Sequence, residues 1–468
     1  MTPQHKTPQQ QATAPAVQRC IAPDCHTEYA VGEQLYVCRK CRGLLEIDCG
    51  VEALPDLRSL RLRWESRATS QEPRDRSGVW RYREVLPFNE RAPIVTLFEG
   101  NTPIYDAPKC ARYAGLSSLT LKHQGCNPTG SFKDTGMTAA VTQAVVLGAR
   151  ALVCASTGNT AASLAAYAAR ANVKCVVLLP EGQVSPAKLA QSMDYGAIIF
   201  EVAGNFDDCM RLTQELAGIP WIYIANSVNP FRIEGQKTVA YELMMQRNWE
   251  VPDHVVVPGG NMGNSSALGK GFAEMKRMGW IDRLPKLSVI QAEGASPLAN
   301  LFAAIAQSEG NTEIHLQREI ERVSNPKTLA TAIKIGAPVS WKKALRAVIQ
   351  SNGNVISVSE EELADAKAMI GLEGIGCEPA SAATVAGIKK LVAAGRIGKD
   401  ESVVAVLTGH LLKDPDYVSH YHRGTLSLET GAGKHAVKPQ PIAGAFRNAL
   451  IRVAATKDAI VESLEKAG

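Results

Sequence analysis

No stretch of the 468-residue chain is apolar for long enough to span a bilayer, and the N-terminus has no signal-peptide core. No block of like charge stands out, and the net charge of +5 is small for this length. This gives no case for nucleic acid or a membrane as partner; an anionic small molecule needs only a local positive site. Eleven cysteines are scattered without the spacing of a disulfide framework, and an odd count leaves at least one unpaired. Free thiols in a reducing compartment, by default the cytoplasm, are expected. No Gly-x-Gly-x-x-Gly follows a strand with an acidic residue about twenty positions on, which argues against a dinucleotide fold.

What is present reads as a soluble protein, 45% hydrophobic and 21% charged, too long for one core. Apolar Val/Ile/Leu runs (Leu152–Ala155, Val173–Leu179, Ala197–Val202, Trp221–Ala225, His254–Val257, Leu287–Ala292, Val403–Leu407) alternate with helical stretches. Such runs imply parallel strands covered on both faces, so the expected fold class is α/β, with two open, mostly parallel sheets flanked by helices. Ligands then belong at the carboxyl ends of strands. The expected organisation is a disordered tail over 1–19, an N-terminal module over 20–90 and a main region over 91–425. A smaller α/β subdomain is expected within the main region at about 141–233. A linker and a C-terminal helix, Ala443 to Glu465, fill 426–468, and Ile94 to Phe98 is read as a strand.

Cys20 and Cys25, then Cys38 and Cys41, form two close pairs separated by twelve residues. Four thiolates across a hairpin suit a tetrahedral structural zinc and leave no open position for catalysis. The alternative is a ribbon of reduced thiols, and Cys49 and His26 are spare ligand candidates.

The most informative stretch is His123-Gln124-Gly125-Cys126-Asn127-Pro128-Thr129-Gly130-Ser131-Phe132-Lys133-Asp134-Thr135-Gly136-Met137. It sets a lysine where a Gly-rich turn enters a helix, a position whose positive potential disfavours an ammonium. A Walker A loop is excluded, because Ser-Phe-Lys stands where Lys-Ser/Thr is required. An exposed turn lysine and a lysine that forms a Schiff base with pyridoxal phosphate both remain. The second demands a phosphate cradle and a partner for the pyridine nitrogen.

Four other segments supply parts for it, each with a plain structural alternative. Ser156-Thr157-Gly158-Asn159-Thr160 follows a strand and opens a helix, as an anion site or an ordinary N-cap. Gly259-Gly260-Asn261-Met262-Gly263 does the same with three glycines, which lets backbone wrap a phosphate. Thr408 ends the last core strand, where a hydroxyl meets a ring nitrogen without protonating it, or simply closes a turn. Asn226, Ser227 and Arg232 offer two neutral donors and a guanidinium fork for a second phosphate, or a solvated helix start.

Taken together these segments resemble the threonine synthases, a family of fold-type II pyridoxal-phosphate enzymes with a tryptophan synthase β-like fold. The likeness also takes in Ser77-Gly78-Val79-Trp80, Phe98-Glu99-Gly100-Asn101, Ala332-Ile333-Lys334-Ile335-Gly336 and Gly409-His410 with Lys413. It runs from about Ser77 to Asp416 and is most similar in arrangement to the long, plant-type branch. The cysteine ribbon departs from that branch and is similar to a knuckle of some prokaryotic members. The resemblance implies a homodimer that converts O-phosphohomoserine and water to threonine and phosphate. It implies that Lys133 carries the cofactor and moves protons, while Asn159 meets the ring hydroxyl. Gly259, Gly260, Asn261, Met262 and Gly263 would hold the cofactor phosphate, and Thr408 would face the ring nitrogen. Ser156, Thr157 and Thr160 would serve the substrate carboxylate or the water. Asn226, Ser227 and Arg232, with Lys122 as a weaker candidate, would hold the substrate phosphate.

Rival readings within the enzyme class are a cysteate synthase and a serine/threonine dehydratase, which share the lysine and cradle. A pseudo-enzyme using the ribbon to bind a partner is a third, against which the intact lysine and both glycine loops speak.

Overall fold

In a computed structural model, residues 16–182, 186–306, 316, 318–428, 439–448 and 450–466 are described. Residues 1–15 of the expected tail, and 429–438 of the expected linker, lie outside them. The ordered chain begins before Cys20, because Val17–Cys20 forms β1 and pairs antiparallel with β2 (Glu28–Ala30) and β3 (Leu45–Asp48). This three-stranded ribbon presents the four cysteines at one end.

The main region has two sheets, as the apolar runs predict. One contains β4 (Ile104–Asp106), β5 (Thr120–His123), β10 (His254–Pro258), β11 (Lys286–Ala292), β12 (Val355–Val358) and β13 (Val403–Leu407), in the order β12-β11-β10-β13-β5-β4. All its pairings are parallel except that of β4 with β5. The other, in the order β8-β7-β6-β9, is wholly parallel: β6 (Ala151–Ala155), β7 (Lys174–Pro180), β8 (Ile198–Val202) and β9 (Ile222–Ile224). Every residue of β6, β10 and β13 is buried, which is why these strands are apolar without alternation. Helices cover both faces, and the ligand crevice expected at strand ends falls between the two sheets.

Two sequence expectations change. Ile94 to Phe98 belongs to no strand, because its backbone bonds to helical side chains instead: Val95 N donates to Thr142 Oγ1 (3.0 Å), and Thr138 Oγ1 donates to Val95 O (2.6 Å). The C-terminal helix is shorter than the amphipathic pattern suggested, spanning Lys457–Lys466, with the described residues from Ala443 to Thr456 non-helical. Phe446 packs on Tyr113, but Leu450, Ile451 and Val453 are exposed (Leu450 at 85%), so packing does not favour a helix through them.

One helix crossing positions the chemistry. The helix Lys133–Val146 packs on the helix Pro230–Gln246 with backbones nearly touching. A Cβ on Gly235 would lie 1.9 Å from Thr135 O, and one on Gly136 would lie 2.8 Å from Arg232 O. Only glycine permits this approach, and it brings Arg232 beside the lysine.

Candidate active site

Lys133 opens its helix at a site with no side-chain cap, after a loop stitched to the end of β13. Phe132 N donates to Thr408 O (2.9 Å), and His410 N donates to Gly130 O (2.9 Å). Inside the turn, Asp134 accepts from Thr129 N (2.7 Å), Thr129 Oγ1 (2.6 Å) and Ser163 Oγ (2.6 Å). Its carboxyl is pushed up to about 6 by burial, despite those three donors. The loop is thus fixed from both sides, and the lysine amine has no hydrogen bond or ion pair among the described residues. It lies over the Phe132 ring, 3.7 Å from the centroid. Burial, with Arg232 nearby adding repulsion, lowers Lys133 to about 7, against a weaker opposing pull from Glu378.

The amine faces a cleft of about 620 Å³. Asn159, Ser227, Arg232, Gly260, Asn261, Met262, Gly263 and Thr408, all drawn from the sequence-predicted set, line it with Lys133. Gly259 lies behind the wall: its N–H donates to Ile290 O (2.7 Å), and a Cβ there would meet Val289 Cγ1 at 2.6 Å. Ser156, Thr157 and Thr160 sit half-buried around Asn159 and do not line the cleft. Asn226 does not line it either. Its amide is committed to Ala155, accepting from the N–H and donating to the carbonyl at 3.1 Å each, which closes the ends of β6 and β9 together. Lys122 leaves the candidate set. Its side chain is fully buried, ion-paired with Glu242, and donates to Thr102 O (2.6 Å) and Gln246 Oε1 (2.8 Å).

Sequence reading missed Glu378. It precedes Pro379 at a helix start and so resembles an ordinary cap, but it lines the cleft. Asn159 Nδ2 donates to one of its oxygens (2.9 Å) and Thr408 Oγ1 to the other (2.8 Å). Ser381 Oγ lies 3.0 Å from Thr408 Oγ1 and holds the hydroxyl from behind.

The cleft has the chemistry of an anion receptor. Buried polar atoms without partners cluster in it: Arg232 Nε, Gln236 Oε1 and both amide atoms of Asn264. The Arg232 guanidinium is anchored by donation to Ala225 O (2.9 Å), and burial lowers it to about 10. The helix Gly263–Arg277 starts from Met262 in a left-handed conformation (φ 64°), with no side-chain cap for its first N–H groups. A Cβ on Gly260 would come within 3.0 Å of Ala332 O, so glycine keeps this wall open. Uncapped helix donors beside a glycine wall fit a phosphate, and an unpaired half-buried lysine facing them fits a carbonyl cofactor.

The comparisons agree with that geometry. Residues 95–409 match the family described as "Pyridoxal-phosphate dependent enzyme". Threonine synthase of Methanocaldococcus jannaschii is 48% identical over 402 residues, covering 86% of this chain and 93% of the relative. The chain belongs to the threonine synthase family. Other members similar to it are the enzyme of Mycobacterium bovis, 45% identical over 72% of this chain and 88% of the relative, and that of Synechocystis, 42% identical over 75% and 87%. As a threonine synthase family member it is a pyridoxal-phosphate-dependent lyase. Among solved structures, a fungal L-serine ammonia-lyase from Rhizomucor miehei shares the fold, with a TM-score of 0.57 at 19% identity, over 69% of this chain and 98% of that one. Threonine deaminase isoform 2 from Solanum lycopersicum does so with a TM-score of 0.56 at 18% identity, over 76% and 85%.

Within the ribbon, the sulfur atoms of Cys20, Cys25, Cys38 and Cys41 all lie within 4.8 Å of one another. Cys20 and Cys41 are 3.4 Å apart, Cys25 and Cys38 3.6 Å. A zinc tetrahedron with bonds of about 2.3 Å has edges of roughly 3.8 Å, so the donor set fits a metal. Cys49 stands apart, beside Glu234 and Lys237. All eleven cysteines are free, and no described helix is long and apolar enough to cross a membrane.

Proposed function

We propose that this protein converts O-phosphohomoserine and water to threonine and inorganic phosphate. The observation that carries the reading is the pairing, in one cleft, of an unpartnered half-buried lysine with a buried arginine whose Nε lacks an acceptor. Family membership then narrows the chemistry. Pyridoxal phosphate, when bound, supplies an electron sink that lets bonds at the substrate's α and β carbons break and form.

The chain's own residues do the rest. Lys133 would hold the cofactor through its carbonyl carbon, and its amine, when free, would move protons at the substrate's Cα and Cβ. A value of about 7 suits an amine that must both take and return a proton near neutrality. Asn261, Met262 and Gly263, at an uncapped helix start, hold the cofactor phosphate. Asn159 would meet the ring hydroxyl and Thr408 would face the ring nitrogen; both donate to Glu378, which holds them in place and from which Thr408 would have to turn its proton to the ring. Arg232 and Ser227 would hold the substrate phosphate; the turn Ser156 to Thr160 reaches the cleft through Asn159 alone and would have to close on the substrate to receive its carboxylate. Incubation with O-phosphohomoserine should yield threonine and phosphate in equal amounts. Sulfite incorporation into phosphoserine, or deamination of threonine as the main reaction, would replace this reading with cysteate synthase or dehydratase.

We also infer that the four ribbon thiolates bind a structural zinc ion, supported by their mutual distances. Elemental analysis of the intact protein and of C38S/C41S decides: intact protein without zinc rejects the site. A homodimer in the cytoplasm is supported by the family resemblance and the free thiols; light scattering checks the former.

A further inference from the structure

The ribbon contributes nothing to the catalytic cleft, yet it walls a second cavity of about 730 Å³. Ile21, Arg42 and Leu44 form the ribbon side, where the two cysteine knuckles meet (Ile21 N donates to Leu44 O, 3.0 Å). Trp341, Lys342, Lys343 and Arg346 form the other. No acidic residue is among the described residues lining it.

The charges around this cavity are unbalanced. Arg346 is neutralised by Glu46 at 2.5 Å, but Lys342 reaches only the exposed Glu319, at 3.9 Å. Lys343 has a backbone carbonyl for partner (Leu45 O, 2.6 Å), and Arg42 makes no ion pair among the described residues. Both lysines occupy the first turn of the helix Trp341–Gln350, which has no acidic residue there and no side-chain cap. Two cations at the positive end of a helix repel its dipole, an arrangement that an anion relieves. Burial draws Lys343 down to about 8, the mark of a cation lacking full compensation.

We propose that this cavity binds a small amphipathic organic anion, its acidic group between Arg42, Lys342 and Lys343 and its flat apolar body on Ile21, Leu44 and Trp341. The site is regulatory. Val339 and Trp341 line the cavity, while Val339 N donates to Asn261 Oδ1 (3.2 Å) and Ser340 N to Asn261 O (3.1 Å). Ser266 Oγ, one turn into the cradle helix, donates to Met262 O (2.6 Å) and lies 3.2 Å from Ser340 O. One strip of backbone therefore walls the ligand on one side and braces the phosphate cradle on the other. This coupling rests on the reading of Asn261 to Gly263 as that cradle; binding itself does not.

The test is fluorescence titration of the cofactor-loaded protein with anilinonaphthalene sulfonate, a flat apolar anion. One saturable site per chain is expected, not displaced by O-phosphohomoserine, with affinity about tenfold or more weaker in R42E/K342E. The visible cofactor band of that variant reports whether it is folded, and R42Q and K342Q singly replace it if it is not. Undiminished binding in the variants, or competition by the substrate, overturns the site. By reciprocity of linkage, probe affinity should differ about fivefold or more between loaded and cofactor-free protein. Equal affinity overturns the regulatory role. Probe binding of the expected kind without any threonine formation supports the site while rejecting the catalytic reading.

Discussion

Two lysines lie close together in sequence, Lys122 fully buried near the end of β5 and Lys133 half-buried at the start of the helix Lys133–Val146. Lys122 is enclosed by Glu242, Gln246 and a carbonyl; Lys133 has an aromatic face and opens on the cleft. Burial lowers both, but at Lys122 a carboxylate in contact opposes the shift, while at Lys133 repulsion from Arg232 adds to it and outweighs the pull of Glu378. Removal from water does not by itself mark a functional cation. The missing partner does, because an uncompensated ammonium gives up its proton and becomes a nucleophile.

The largest contrast should come from Lys133→Ala, which is expected to abolish the visible cofactor band and lower turnover by at least 10²–10⁴-fold, roughly the contribution of a positioned proton-transfer group. Absorbance and phosphate release measure the two. An unchanged spectrum removes the distinction between the lysines. Lys122→Ala should do the opposite, costing about 3–5 kcal/mol of stability by stranding the Glu242 carboxylate, while the folded fraction keeps its cofactor band. Denaturant titration reads the first effect, and K122M/E242L should recover much of it. Loss of the cofactor with stability intact would place Lys122 back in the site.

Arg232→Ala sharpens the comparison at Lys133. It should raise KM for O-phosphohomoserine by roughly 10–150-fold, the equivalent of about 1.5–3 kcal/mol for a charged hydrogen bond, with far less effect on cofactor release. It should also shift the Lys133 titration upward, since a repelling charge is gone. Equal weakening of substrate and cofactor would deny Arg232 its assigned phosphate.

The smallest effect is in pH. The folded value of about 7 for Lys133 lies below the ordinary lysine value of about 10.4. Between these values the unfolded chain holds a proton that the folded one has released. The penalty on cofactor-free protein is therefore fully present below about pH 7 and fades as pH rises toward 10. Cofactor capture should accelerate about tenfold per pH unit up to neutrality and then level off. A rate still rising tenfold per unit beyond pH 8 would class Lys133 with exposed lysines.

Much of this site could be read from local sequence, because its parts are short segments, each after a strand. Gly260 to Gly263, Thr408 and Lys133 are legible as cleft-lining residues because each stands in a turn at a strand end or helix start. Lys122 misled because its partner, Glu242, is distant in sequence, and no local pattern separates a paired cation from a free one. Asn226 misled for a related reason: an amide that closes a strand end and one that binds phosphate look alike in the chain. Glu378 was hidden by Pro379, which makes it read as a helix start. The two sheets followed from apolar runs, but not the strand order, which depends on which buried faces fit. Ile94 to Phe98 shows the limit of β propensity when helix side chains offer its backbone better partners.

The place of β13 in the large sheet has a consequence for biosynthesis. It lies between β10 and β5, yet it leaves the ribosome after both. Until it emerges, β4 with β5 and β10 with β11 and β12 are two fragments with raw edges, while β6 to β9 are already complete. Thr408 and the backbone that ties down the lysine loop arrive with it. On the proposed reading of the cleft, a nascent chain completes its cofactor site only once β13 has docked.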